Sequence, residues 1–395
     1  MVFTRASGSR PCSSPVGRSQ DTFPTRTNYF WHFILNILLL MKQPQSIPPC
    51  LRLKRSFLFM LLGSLILFSC SKDHLERELD RLLHHHGDGK GKLPTTIDFT
   101  RTSLYPEGVA FDARNLRFFV SSLRFGTIGQ VSPRGVYSPF ITDERFVSTI
   151  GLESDAARQR LLVAVSDPGA GEKSSPATAG KLAALGIYDL QAGSVIHFVD
   201  LAALRPEGRH FANDIALDPQ GNAYVTDSFS PVIYKVDPEG NASVFVELPA
   251  FATAPGQFGF NGIVYHPHGY LLVGHSQNKQ IVRISLSNPE EYQVVQLDTP
   301  YQGPDGLLLS QDGIQLVVVD NQGGQVLSFR SSDAWGSGTF VESYATGAVN
   351  PTSVTGYKGQ VFVLYSYLSR LFAGNASPQS VFTIQRVPFL QNRTF

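Results

Sequence analysis

Four side chains carrying hard oxygen donors recur at one place in an internal repeat of this sequence: Glu107, Asn213, Asn261 and Asp305. Carboxylate and amide oxygens, with no thiol and no obligatory imidazole, make a donor set that suits Ca²⁺, or Mg²⁺ and Mn²⁺ with more water, better than zinc or copper. An ion held this way could polarise a carbonyl and stabilise the oxyanion that forms when water attacks it. Asn and Asp beside Gly are also ordinary turn formers. Glutamate is a poor one, so Glu107 is the residue that separates the two readings.

The repeat itself has six copies. Each begins with a turn, a small or apolar pair and an apolar strand: Pro106-Glu107-Gly108-Val109, Ile150-Gly151-Leu152-Glu153, Ala212-Asn213-Asp214-Ile215, Phe260-Asn261-Gly262-Ile263, Pro304-Asp305-Gly306-Leu307 and Pro351-Thr352-Ser353-Val354. A second apolar strand follows each, at 116–120, 161–165, 223–226, 270–273, 315–319 and 360–364. Pairs such as Gln220-Gly221, Asp312-Gly313 and Lys358-Gly359 between them are hairpin turns. Third strands with alternating polarity, as in Val232-Ile233-Tyr234-Lys235-Val236, are half-buried. A spacing of roughly 45 to 60 residues is that of one four-stranded propeller blade. The fold expected is therefore all-β, a six-bladed β-propeller over residues 95–395. A radial array of sheets buries the inner strands and leaves only short edges.

In register across the copies, the residue ahead of the first strand reads Glu107, Leu152, Asn213, Asn261, Asp305 and Thr352. Equivalent positions of successive blades converge on the central channel, so donors far apart in sequence are expected to meet there. The stretch 166–186, rich in Gly, Ala, Ser and Pro, is read as an insertion over one face, covering the pore mouth. Residues 95–102 are expected to supply a strand that closes the ring.

Composition agrees and excludes other classes. Charged residues are 16% of the chain, the net charge is +1, and 35 Gly and 25 Pro suit short strands with tight turns. No basic block is large enough for a nucleic-acid surface. The three cysteines, Cys12, Cys50 and Cys70, all lie upstream of the repeats, so no disulfide framework holds the propeller.

The segment before the repeats reads as an address. Lys54 and Arg55 precede an apolar run at 57–68 that ends in Leu67-Phe68-Ser69-Cys70, the pattern of an export signal. Its ending is similar to a bacterial lipobox, which makes Cys70 the candidate lipidation site; the alternatives are a cleaved signal peptide with an incidental cysteine, or a short membrane anchor. Residues 1–70 are thus read as an N-terminal extension and lipoprotein-type signal peptide, and 71–94 as a flexible linker. The protein is expected to be exported to the cell envelope, periplasmic or outer-membrane associated, touching the membrane only through a lipid anchor. A second apolar stretch at 29–40 precedes Met41, and translation is expected to start at Met41. The triplet His84-His85-His86 sits among Gly and Lys and is read as part of a tether.

The motifs Pro106-Glu107-Gly108, Asn213-Asp214, Phe260-Asn261-Gly262 and Pro304-Asp305-Gly306 resemble the signature of the senescence marker protein, gluconolactonase and luciferin-regenerating enzyme family, with paraoxonases and strictosidine synthases as more distant propellers. The resemblance covers about residue 95 to the end. It implies that Glu107, Asn261 and Asp305 ligate a divalent metal, Ca²⁺ first and Mg²⁺, Mn²⁺ or Zn²⁺ as alternatives. It also implies that Asn213 contacts substrate or completes the coordination, and that Asp305 doubles as general base. The implied activity is metal-dependent hydrolysis of a lactone or ester, with a small-molecule substrate and no nucleic acid. Some members place an arginine two residues before the asparagine for sugar recognition. Here that residue is Phe211, with Arg209 and His210 further back, and His210 is taken as a second substrate-binding candidate. His266, His268 and His275 are read as hydrogen-bonded loop groups, and Asp227-Ser228 and Asp320-Asn321 as turn and inter-blade hydrogen bonders. The alternative function is a ligand-binding propeller with a structural metal, or an enzyme like strictosidine synthase.

Overall fold

Short apolar runs separated by tight turns satisfy their backbone groups by pairing laterally, and runs of this length pair as small antiparallel sheets. The computed structural model describes residues 93–373 and 378–388. The segment read as an export signal, with Cys70, and most of the stretch read as a linker lie outside the described residues. Six sheets are arranged as the blades of a β-propeller, with innermost strands Val109–Asp112, Ser148–Asp155, Ala212–Leu217, Phe260–His266, Pro304–Leu309 and Pro351–Tyr357.

The second strands show why this arrangement is stable. Arg160–Ser166, Tyr270–His275 and Gln315–Asp320 are buried along their whole length, because both faces of each blade are covered by neighbouring blades; their sequences are accordingly near-continuous Val and Leu runs. Each such side chain contributes about 1.5–3 kcal/mol when fully buried. The outermost strands have one face in water, and Thr96–Thr100 alternates exposed and buried.

That outermost strand closes the ring. Thr96–Thr100 pairs antiparallel with Val381–Val387, with Ile97 opposite Ile384, in the sheet that also holds Gln360–Tyr365 and Pro351–Tyr357. The expected closure of first residues on last repeat is thus present. Among the expected turns, Lys358 and Gly359 both have positive φ, 47° and 73°, the geometry of a two-residue type I′ hairpin.

Two sequence expectations need correction. The insertion is shorter than 166–186, since Ala183–Asp189 is a regular strand paired with Arg160–Ser166. Its Ala-Ala-Leu-Gly start reads as a loop by composition, yet it lies between two strands that bury it. The remaining loop folds on Asp167, whose carboxylate accepts from Gly169 N at 2.7 Å, Ser174 Oγ at 2.9 Å and Thr178 Oγ1 at 2.7 Å. The second correction is register. Leu152 pairs with Val163 as Ile215 pairs with Val225, and both strands carry a bulge just before. The partner of Asn213 in the second blade is therefore Ile150, two residues earlier than expected.

The bulges bring the inner strands into backbone contact round the axis. A Cβ added to Gly262 would run into the carbonyl oxygen of Asp305, and one added to Gly108 into that of Ile150; Gly151 meets Asn213 and Gly306 meets Thr352 in the same way. Glycine is required here by close approach. Gly262→Ala is expected to lower stability by about 1–3 kcal/mol, read from the urea midpoint; an unchanged midpoint would contradict the crowding described.

Candidate functional site

Before three of these crowded positions stands a residue that faces the end of the axial channel, namely Glu107, Asn261 and Asp305; Ile150, before Gly151, is fully buried and does not line it. Glu107, Asn213, Asn261 and Asp305 all line one cavity of about 280 Å³ and are all largely buried. Four of the positions singled out from sequence are therefore brought together. His210 is not: its ring is buried, with Nδ1 2.9 Å from Asp227 Oδ2 and Nε2 2.8 Å from the Arg205 carbonyl oxygen, and it is absent from the cavity wall. Burial alone disfavours the charged ring, but the Asp227 carboxylate outweighs it and raises the pKa. His210 therefore braces the loop ahead of Asn213, together with Asp227, which also accepts from the Phe211 amide at 2.9 Å. His275 and His266 bond to the Phe251 and Gly313 carbonyl oxygens, as expected of structural groups.

Ends of the second strands orient the site. Ser228 Oγ donates to the Phe260 carbonyl at 2.6 Å and accepts from Asn213 Nδ2 at 2.8 Å. Ser276 Oγ donates to the Pro304 carbonyl at 2.7 Å and accepts from Asn261 Nδ2 at 3.1 Å. Asn321 Nδ2 donates to Asp305 Oδ2 and to the Pro351 carbonyl, both at 2.9 Å. Each link ties one blade to the next and sets a site side chain. Asp320 anchors the approach to Asp305 by accepting from the Gly303 amide at 2.9 Å. Asp227 and Asp320 thus hold turns as read from sequence, whereas Ser228 and Asn321 reach the site itself. No sequence signal marked Ser228, Ser276 and Asn321 as a set, because they follow second strands that end in different residues.

The electrostatics are unusual. Asp214 occupies the ring that glycines fill in four other blades, so its carboxylate stands near the axis, accepting from Ile263 N at 3.2 Å. Burial lifts its pKa to about 7, offset in part by the Ile215 and Ile263 amides. The Glu107 carboxyl is pushed well above its ordinary range by burial first and then by Asp305 and Asp214; Asp305 moves the same way through burial and Asp214. Further along the channel, a second cavity of about 320 Å³ is lined by Glu153, Ser154 and Asp214, and burial with Asp214 and Asp155 lifts Glu153 to about 8. Asp214 and Glu153 escaped the sequence reading; the signal available was Asn213-Asp214 standing where the other blades mostly have glycine second.

The donor set fits a divalent cation. The amide nitrogen of Asn213 is committed to Ser228, and that of Asn261 to Ser276 and the Asp305 carboxylate; their carbonyl oxygens remain as acceptors, and the Glu107 carboxylate receives no hydrogen bond from the protein among the described residues. Two mutually repelling carboxylates and two amide oxygens are hard ligands that a cation would neutralise. Among the described residues no cluster of three His, Cys, Asp or Glu is arranged for a metal, so the amides are essential to this reading.

Glu153 ionises near 4.5 ordinarily and near 8 in the fold, so its contribution to stability is full below about 4.5 and is lost as pH rises toward 8. Glu153→Gln should raise the melting temperature at pH 8 by several degrees and leave it unchanged at pH 4, in chelator-treated protein. An equal gain at both pH values would contradict this assignment.

No protein-family model matches this sequence, and a search of curated proteins finds no match. Solved structures do match. The major allergen Mala s 1 of Malassezia sympodialis is 19% identical, with a TM-score of 0.61 over 76% of this chain and 98% of that one. A luciferin-regenerating enzyme is 12% identical, with a TM-score of 0.53 over 76% of this chain and 97% of that one. At these identities the likeness is one of fold: the chain is a six-bladed β-propeller similar to that of luciferin-regenerating enzyme.

Proposed function

We propose that this chain is a divalent-cation-dependent hydrolase of lactones or related esters. The observation that carries the reading is the convergence of Glu107, Asn213, Asn261 and Asp305 on one cavity whose carboxylates lack a compensating positive charge. Strongly perturbed carboxyls in a concave site mark function more often than structure.

Glu107, Asn261 and Asp305 would hold the ion, Ca²⁺ by preference, with Asn213 beside it. When bound, such an ion supplies Lewis acidity to a carbonyl oxygen. The chain's own residues do the rest. Ser228 and Ser276 hold the two amides with their oxygens turned to the cavity. Asn321 orients the Asp305 carboxylate, which takes a proton from the attacking water. Water adds to the carbonyl carbon, the acyl C–O bond breaks, and the departing alkoxide receives the proton. Burial of the cavity floor among six backbone turns keeps bulk water from screening these charges. Export and lipid anchoring at Cys70 remain part of the reading, supported by the Leu67-Phe68-Ser69-Cys70 ending.

The test is hydrolysis by the full chain of a panel of lactones and aryl esters, in chelator and then with Ca²⁺, Mg²⁺, Mn²⁺ or Zn²⁺ restored. Turnover is expected with one ion and none in chelator, and Asp305→Ala should lose about 10²–10⁴-fold in kcat while melting cooperatively. Turnover untouched by chelation would end the proposal. Ion binding without turnover on any substrate would instead favour a ligand-binding propeller with a structural metal.

Ser228→Ala and Ser276→Ala free an amide to rotate. Each is expected to weaken Ca²⁺ about 10–100-fold, as loss of a ligand-orienting partner does, in calorimetric titration, and to lower the melting temperature with unfolding still cooperative, because the Phe260 or Pro304 carbonyl loses its donor. Affinity equal to that of the unaltered chain would remove the orienting role.

A further inference from the structure

The wall of the Glu107–Asp305 cavity differs from its floor. Phe211 and Phe258 stand on it with ring centroids 5.4 Å apart, and Phe229 packs behind both at 5.2 and 5.3 Å. Leu123, Leu368 and Phe372 extend the apolar surface, and Phe372, on the short helix Leu368–Phe372, is 51% exposed. The polar part of the wall is made of neutral amides such as Gln257, Gln277 and Gln322. No Lys, Arg or His is among the lining residues; Arg209 is drawn away over the outer Phe229 ring, at 4.8 Å from its centroid. An anionic group laid on this wall would find no cationic side chain. In a substrate bearing many hydroxyls, those that reach Gln257, Gln277, Gln322, Asn350 or Ser369 would be paired, and those laid on the phenyl and leucyl groups would not.

We infer that the site takes neutral lactones or esters carrying an aliphatic chain or an aromatic ring, seated against Phe211, Phe258 and Phe372, and rejects polyhydroxylated ones. This rests on the hydrolase reading for the position of the carbonyl, above Glu107 and Asp305. The cavity volume of about 280 Å³ holds one small ring and a short chain, with the open side at Phe372 receiving the remainder. Each methylene laid on such a wall multiplies affinity about three- to fourfold.

The test uses two uncleavable probes of one ring size, a pentyl-substituted δ-lactam and gluconolactam, titrated calorimetrically into the full chain with Ca²⁺. The pentyl lactam is expected to bind at least about tenfold tighter. Phe258→Asn and the exposed Phe372→Asn should each cut that preference several-fold with Ca²⁺ affinity unchanged; the second lies at the surface and keeps the fold. Equal affinities, tighter gluconolactam, no binding of either probe, or a preference that survives both substitutions would overturn the inference. The matching lactones separate the two readings. Pentyl lactam bound with its lactone uncleaved sinks the hydrolase and keeps the apolar ligand. Gluconolactone cleaved as fast as the pentyl lactone sinks the apolar preference and keeps the hydrolase.

Discussion

Backbone crowding at the axis is the constraint on which the other features depend. Six inner strands can surround a channel this narrow only where their bulged turns touch, and at Gly108, Gly151, Gly262 and Gly306 the neighbouring backbone occupies the place of a Cβ. At Gly108, Gly262 and Gly306 the residue immediately before the contact then lines the cavity, which is how Glu107, Asn261 and Asp305 come to share it across some two hundred positions of chain. The same crowding explains Asp214. In a ring otherwise built of small residues its carboxylate has nowhere to go but the axial space, where it feels Glu107 and Asp305 on one side and Glu153 on the other.

The channel is consequently a column of acidic groups in a shell of apolar blades. Such an arrangement costs stability, because each carboxyl is driven toward its neutral form by burial and by its neighbours. The long buried second strands and the closed ring offset that cost. Local rules of packing and polarity are broken where a function demands it, and here the break is confined to one end of the inner strands and the axis beneath. The serines and the asparagine that follow the second strands serve both purposes: they stitch blade to blade through carbonyl oxygens and hold the amides and the Asp305 carboxylate in place.

Much of this was legible in the residues. Blade number, hairpin turns and the closing strand follow from patterning and turn chemistry, which act over a few neighbours. The four site positions were legible because the repeat places them in register. The second blade misled, since Ile150-Gly151-Leu152 offers two apolar residues around its glycine and only the pairing of Leu152 with Val163 shows which one corresponds to Asn213. His210 misled for a related reason: nearness to Asn213 in sequence said nothing about which way its ring points, and Asp227 and the Arg205 carbonyl claim both nitrogens.

By itself the sequence determined the kind of fold and which oxygen-bearing side chains stand at the repeated position, because strand periodicity, turn residues and side-chain chemistry are properties of short segments. Only the tertiary structure decided which donors share a cavity, that Asp214 and Glu153 join them electrostatically, and that Phe211 and Phe258 form an uncharged wall. Those facts depend on distances between blades, and such distances are set by the closure of the whole ring, which no short stretch of chain encodes.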